Sequence, residues 1–206
     1  MKTKLTTHLF LLGICILISG CYPYSTAYVD ELDLVITDYD PAFTFTGHQN
    51  YAIPDSVVKI TGNKAAGDPP VFIQPAYSAL IINRIKSNMA SLGYTLVTDI
   101  TQANVILFPS ALETTYAEYY YDYYYYWGWY YPYGGWYYPY QTVTTYTTGT
   151  LLMNMVVAGQ TSASGNLHVA WTGLINGVLD YYGGDGDSRL TKAIDQAFTQ
   201  SSYLHQ

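Results

Sequence analysis

Asp38 and Asp40 stand two residues apart in LDLVITDYD (residues 32–40). The run alternates like a strand, so both carboxylates would share a face. Two such groups divide into acid and base only if one is held protonated by burial or by its neighbour's charge. A plainer role is expected here: an aspartate just before Pro41 bonds its own backbone in a turn. In DYYGGDGDS (180–188), Asp180, Asp185 and Asp187 could offer oxygens to calcium. That loop lacks the closing glutamate of an EF-hand, and Ser188 stands where a Gly-Gly-x-Gly-x-Asp repeat requires aspartate. A turn feeding a helix N-terminus accounts for the same acids through the helix dipole. Neither a metal nor a cofactor is expected. His48 and His168 fall inside the expected fold, His8 in the leader, and His205 at what reads as a frayed end. None sits in a Gly-x-Ser-x-Gly or His-Glu-x-x-His pattern, and no phosphate-cradling glycine motif occurs. The expectation is a protein that is not an enzyme.

Cys21 carries a firmer signal. The N-terminus runs from Lys2 and Lys4 through an apolar stretch, Leu9 to Ile18, to the small residues Ser19 and Gly20. A basic start, a short apolar run and a small-residue exit make a secretory signal. Ile18-Ser19-Gly20-Cys21 resembles the bacterial lipobox. The resemblance implies cleavage between Gly20 and Cys21, with diacylglycerol on the sulfur and an acyl chain on the new amine. Several acyl chains anchor stably, since each buried methylene contributes about 0.8 kcal/mol. Cleavage removes Lys2, Lys4 and Cys15, leaving 6 basic against 15 acidic residues, a charge of −9, and no second cysteine for a disulfide. A charge of that sign argues against a phosphate-binding face, so no nucleic-acid partner is expected. Tyr22, rather than aspartate, follows the cysteine. By likeness to Gram-negative sorting rules this implies the outer membrane, on its periplasmic face.

YYYDYYYYWGWYYPYGGWYYPY (119–140) is the other outlier, in a chain with 25 tyrosines and only 11% charged residues. Tyr and Trp favour strands, and the Trp-Gly-Trp, Pro and Gly-Gly in its middle are turn residues. A projecting Tyr/Trp-rich β-hairpin or loop is expected, not core, because buried phenols need partners. Tyr125, Trp127, Trp129, Tyr131, Trp136 and Tyr138 are its candidate contact residues. Three roles stay open. Tyr and Trp prefer the headgroup layer of a bilayer. Their flat faces also suit a glycan, peptidoglycan or an envelope protein. The block could equally be a tolerated low-complexity expansion.

The elements that must position these groups follow from periodicity. Leu32, Leu34 and Ile36 alternate in a first strand that Pro41 ends, and FTFTGHQNYAI (43–53) turns at Gly47. Ile81, Ile85, Met89 and Leu92 fall on one helical face, with Pro75 in the first turn and Gly93 at the stop. Residues 94–99 and 103–110 read as strands, the second apolar enough to be central. Residues 142–159 and 165–179 read as an antiparallel pair around GQTSASGN. A last helix spans 188–204, with Leu190, Ile194, Ala197 and Phe198 inward and Asp187 or Ser188 as N-cap. Two helices, each with one apolar stripe, cover one sheet face. The expected fold is α+β: a two-layer sandwich with a mixed or mainly antiparallel sheet. The expected organisation is a signal at 1–20, a lipidated tether at 21–31, and one domain at 32–204 carrying the aromatic insertion 119–140.

Three pieces in this order carry a family resemblance. They are DYDPAFTFTGHQNYAI, LGYTLVTDITQANVIL, and GTLLMNMVVAGQTSASGNLHVAWTGLINGVL with the closing helix. Together they resemble the domain-of-unknown-function 4136 family of bacterial envelope lipoproteins over roughly residues 30–204. The resemblance implies a small α/β envelope domain on a lipid anchor, and no reaction. The chain departs from the family at Ala103-Asn104, where Ala-Asp is expected, and in the length of its aromatic block.

Overall fold

The computed structural model describes residues 34–61, 69–113, 134–137, 139, 149–163, 165–179 and 186–206. The leader, Cys21 and its tether, and most of the aromatic block lie outside the described residues. Among the described residues eight strands form one mixed sheet: β1 (Val35–Tyr39), β2 (Asn50–Ala52), β3 (Val58–Ile60), β4 (Thr95–Leu96), β5 (Val105–Leu112), β6 (Gly134–Tyr137), β7 (Thr150–Thr161) and β8 (Asn166–Ile175). Among the described residues two α-helices accompany it, α1 (Pro75–Ser91) and α2 (Gly186–Thr199).

The centre of the sheet is antiparallel: β8 pairs with β7, and β7 with β5. The short strands flank it. β2 and β3 follow one another along the far side of β5, both parallel to it, and β4 joins β2. On the other edge, β1 pairs antiparallel with Trp171–Ile175 of β8, while β6 pairs in parallel with Asn166–His168. The core strands hold their place through composition. β5 is buried at every position, as a strand covered on both faces must be.

Side-chain alternation splits the core in two. The first face carries Val105, Leu107, Leu151, Met153, Met155 and Trp171, and both helices pack on it. α1 contributes Ile81, Ile85 and Met89, and α2 contributes Leu190, Ile194, Ala197 and Phe198, as their spacing predicts. Between the helices, Arg84 pairs with Asp195 through both carboxylate oxygens, and Asn88 Nδ2 donates to Asp195 Oδ1 at 2.9 Å. Burial alone would raise the Asp195 pKa. The Arg84 and Asn88 hydrogen bonds and the Arg84 charge outweigh it and hold the carboxyl below its ordinary value. The second face carries Ile106, Phe108, Leu152, Val156, Val169 and Leu174, and it too is fully buried.

Several expectations are revised. The first strand starts at Val35, and Leu34 is 55% exposed rather than inward. The strand expected at 94–99 shrinks to two exposed residues. α2 begins at Gly186, so Asp187 sits in its first turn and does not cap it. The C-terminus is not frayed. Gln206 N–H donates to Leu92 O, its Nε2 donates to Phe45 O, and its Oε1 accepts from Gly47 N–H. That last contact holds the Gly47 turn, where φ is +91°. Within the block expected as a projecting hairpin, Gly134–Tyr137 pairs in parallel with β8, and the rest of the block but for residue 139 lies outside the described residues.

Candidate functional site

β1 ends at Tyr39 because Asp40 turns the chain. Its N–H donates to Ala170 O at 2.9 Å, and its Oδ1 accepts from Ala42 N–H, the aspartate turn expected ahead of Pro41. The other oxygen, Oδ2, lies 2.8 Å from His168 Nε2, a partner 128 positions away in sequence. His168 Nδ1 in turn meets Gln160 Oε1 at 3.0 Å. Asp40 is nearly buried and His168 is mostly so. Phe43 closes the cluster. Its ring stands edge-on to His168 at 6.0 Å and tilts against His48 at 4.7 Å. His48 Nδ1 is buried with no hydrogen-bond partner among the described residues.

An acid–histidine pair is half of a proton-transfer device. The other half is a free ring nitrogen aimed at a nucleophile or substrate. Here both nitrogens of His168 are engaged, one by Asp40 and one by Gln160. What the arrangement does chemically is join three segments, the end of β1, β7 at Gln160 and β8 at His168. It lies where β1 stops and β6 takes over along the edge of β8.

Asp38 parts from Asp40. It stands opposite Thr172, whose hydroxyl donates to Asn154 Oδ1 at 2.9 Å on the second face. Asp40 pairs with His168, which alternates with Leu167 and Val169 of that second face and so points to the first. The shared face expected from spacing fails because the strand ends between them. Burial raises the Asp38 pKa above its ordinary 3.8, more than the Tyr39 N–H bond lowers it. The folded state therefore holds this proton more tightly than the unfolded chain. Stability from this group is present in acid and lost as pH rises through the raised folded value. Asp38→Asn is expected to raise Tm at neutral pH and to lose that advantage in acid. Thermal melts of both proteins across that range check it; an equal gain at every pH would point to packing instead of charge.

Asp187 is exposed in the first turn of α2, where the dipole favours an acid. Asp180 and Asp185 lie outside the described residues, as do Gly20, Cys21, Tyr125, Trp127, Trp129, Tyr131 and Tyr138. Trp136 falls in β6. Among the described residues no three His, Cys, Asp or Glu side chains gather as metal ligands would.

Spacing alone did not disclose Gln160, which was expected in the hairpin loop, or a cleft of about 310 Å³ beside β4. Ile53, Leu96, Ile100 and Phe108 line that cleft, with Asp55 and Lys86 beside them. Leu96 and Ile100 of its lining are exposed apolar residues, and the strand expected over 94–99 gave no sign of it. Asn104, the departure noted above, accepts from Asn50 N–H through Oδ1 at 3.0 Å. An aspartate oxygen could accept the same bond.

A family model described as a domain of unknown function, DUF4136, matches residues 35–201. The crystal structure of a DUF4136 family protein from Bacteroides thetaiotaomicron superposes with a TM-score of 0.66 at 26% identity. The match covers 84% of this chain and 97% of that one. No curated protein matches the chain.

Proposed function

The chain belongs to the DUF4136 family, and from that premise we propose that it is a lipid-anchored module of the outer membrane, on the periplasmic face, that binds or braces rather than catalyses. The observation that carries the non-catalytic part is the Asp40–His168–Gln160 cluster. The one acid–histidine pair among the described residues has both ring nitrogens committed to holding strands together. The anchor rests on the signal and lipobox ending at Gly20-Cys21. Cys21 precedes Val35 by 14 positions, a tether reaching at most about 50 Å, so the domain works close to the bilayer. In this reading the aromatic block supplies the contact. Tyr125, Trp127, Trp129 and Tyr131 meet the membrane interface or an envelope protein beside it.

Two measurements test the proposal. Radiolabelled palmitate is expected to enter the wild-type protein in outer-membrane fractions and not the Cys21→Ser variant. Unlipidated protein is expected to float with liposomes, and the Tyr125→Ser, Trp127→Ser, Trp129→Ser, Tyr131→Ser combination to stay at the bottom. Substitution is preferable to deletion of 119–140, which would remove β6 from the sheet. Equal flotation of both proteins would discard the interfacial role. Binding to peptidoglycan that the same substitutions abolish would move the contact to a glycan.

A further inference from the structure

We infer that the cleft beside β4 is a binding site for a small zwitterion with an apolar side chain, an apolar α-amino acid whose carboxylate meets Lys86 and whose ammonium meets Asp55. The inference stands apart from the envelope reading and from the aromatic block, since every group it uses lies on the β2–β4 edge of the sheet or on α1.

The cleft exists because that edge is notched. β2 ends at Ala52 and β4 at Leu96, while β5 runs on to Leu112. β2 pairs with Val105 and Ile106, and β3 takes up pairing again at Ser110. Residues 107–109 therefore lie between the two ladders. Phe108 belongs to the second face and Lys86 to a helix packed on the first, yet both line the cleft. Side chains from opposite faces of a sheet share a cavity only where the layer between them is interrupted. The cleft also lies beyond the carboxyl ends of two adjacent parallel strands, the position at which open sheets hold ligands.

Hydrogen bonds fix the walls in advance. Val57 N–H donates to Ser78 Oγ at 2.8 Å, which ties the chain after β2 to α1. Val97 N–H donates to Tyr51 O at 2.9 Å. Asp99 Oδ1 accepts from Thr101 N–H at 2.9 Å and caps the single 3₁₀ turn, Ile100–Gln102, that brings Ile100 to the cleft. A wall held in this way loses little entropy when a ligand arrives.

The lining specifies the occupant. Leu96 is 43% exposed and Ile100 36%. Single exposed apolar residues are ordinary, but these two share one cleft with Ile53 and Phe108. That surface suits an apolar side chain. Lys86 and Asp55 supply the polar contacts. Arg84 faces α2 through its pair with Asp195. Lys86, two positions on, is turned about 200° round the helix and away from that pair. Among the described residues neither Lys86 nor Asp55 is in an ion pair, with each other or with any other group. Two opposite charges on one cleft, each without a counter-charge, complement a ligand that carries both. A simple fatty acid would answer Lys86 and leave Asp55 facing a carboxylate. The volume, about 310 Å³, stands at the small end of ligand sites, which run from about 300 to 1,000 Å³, and fits one amino acid better than a peptide or a lipid chain.

The test titrates the full mature chain without lipid, residues 21–206, and reads amide chemical shifts. The probes are leucine and phenylalanine, the same skeletons without the ammonium (isocaproate, hydrocinnamate), and the same skeletons without the carboxylate (isoamylamine, phenethylamine). One or both amino acids are expected to shift the amides of Ile53, Leu96 and Ile100, and each stripped analogue to bind about tenfold more weakly, the share of one charge-assisted contact. Lys86→Met is expected to weaken the amino acid by about the same factor and to leave the amine unchanged. Asp55→Asn is expected to weaken the amino acid and to leave the acid analogue no weaker. Both positions are at least partly exposed, so Tm should hold in each variant. No shift at these amides with either amino acid up to about 10 mM overturns the inference. So does an acid or amine analogue that binds as tightly as its parent, which would make the cleft an apolar groove with one charge or none in use. Amino-acid affinity unchanged in Lys86→Met overturns it as well. No vesicle enters the assay, so a failed flotation experiment leaves this inference untouched, and its own failure leaves the anchor reading standing.

Discussion

Trp171→Ala is expected to cost about 3–5 kcal/mol of folding free energy, measured by urea denaturation. The indole is fully buried where β8 meets α2. Its ring lies 5.3 Å from Phe198, inclined by 33°. Its Nε1–H donates to Ser201 Oγ at 2.9 Å. Ser201 passes the bond on, donating to Ala197 O at 2.8 Å and accepting from Tyr203 OH at 3.2 Å. Tyr203 stacks on Tyr39 at 3.8 Å, one residue from Asp40. Alanine thus leaves a cavity and also strips the donor from a buried hydroxyl that ties the chain after α2 to the strand edge. Trp171→Phe separates the two effects. It keeps most of the ring and loses the hydrogen bond, so a cost near 1–3 kcal/mol is expected. Should Trp171→Ala cost less than about 1 kcal/mol, the ring does not organise this side of the domain.

The same tryptophan shows how far sequence carries. Ile81, Ile85 and Met89 repeat at helical spacing and are buried on the first face, because periodicity records which side of a helix meets the core. β5 was legible as central from its unbroken apolar run. The alternation of β8 was misleading at one point. Register shifts between Met155 and Val156 of β7, so an extra residue bulges at Ala170. Ala170 and Trp171 then both turn to the helix layer. No local pattern announces a bulge, since it depends on how the partner strand pairs.

The candidate site was half legible for a related reason. Asp40 was recognisable as a turn aspartate because Asp-Pro chemistry is local. Its bond to His168 was not, because the two meet only after β1 has docked on β8. The second face shows the same limit. Its apolar residues were visible as every other position of β5 and β7. A two-layer fold with both helices on one side gave no reason for them to be 2% exposed or less.

Gly173→Ala tests the packing around Trp171 from the opposite direction, by adding a group. Gly173 sits mid-strand in β8, facing Met153 of β7 and Thr37 of β1. Its φ is not in the left-handed region, so alanine meets no backbone objection and would ordinarily gain strand propensity. Space forbids it. An added Cβ would lie 2.6 Å from Trp171 Cη2, 3.0 Å from Cζ2 and 2.9 Å from Met153 Cε. Met153 ends in a flexible thioether and can give way. The indole cannot, being held by Phe198 and by its bond to Ser201. A cost of about 1–3 kcal/mol is expected, with valine worse than alanine. Cη2 and Cζ2 belong to the six-membered ring that extends past the reach of phenylalanine. The penalty of Gly173→Ala should therefore fall by at least about 1 kcal/mol in a Trp171→Phe background, a coupling that neighbours in contact can show. Strictly additive costs across the four proteins of that cycle would mean that something other than the indole fixes glycine at this position.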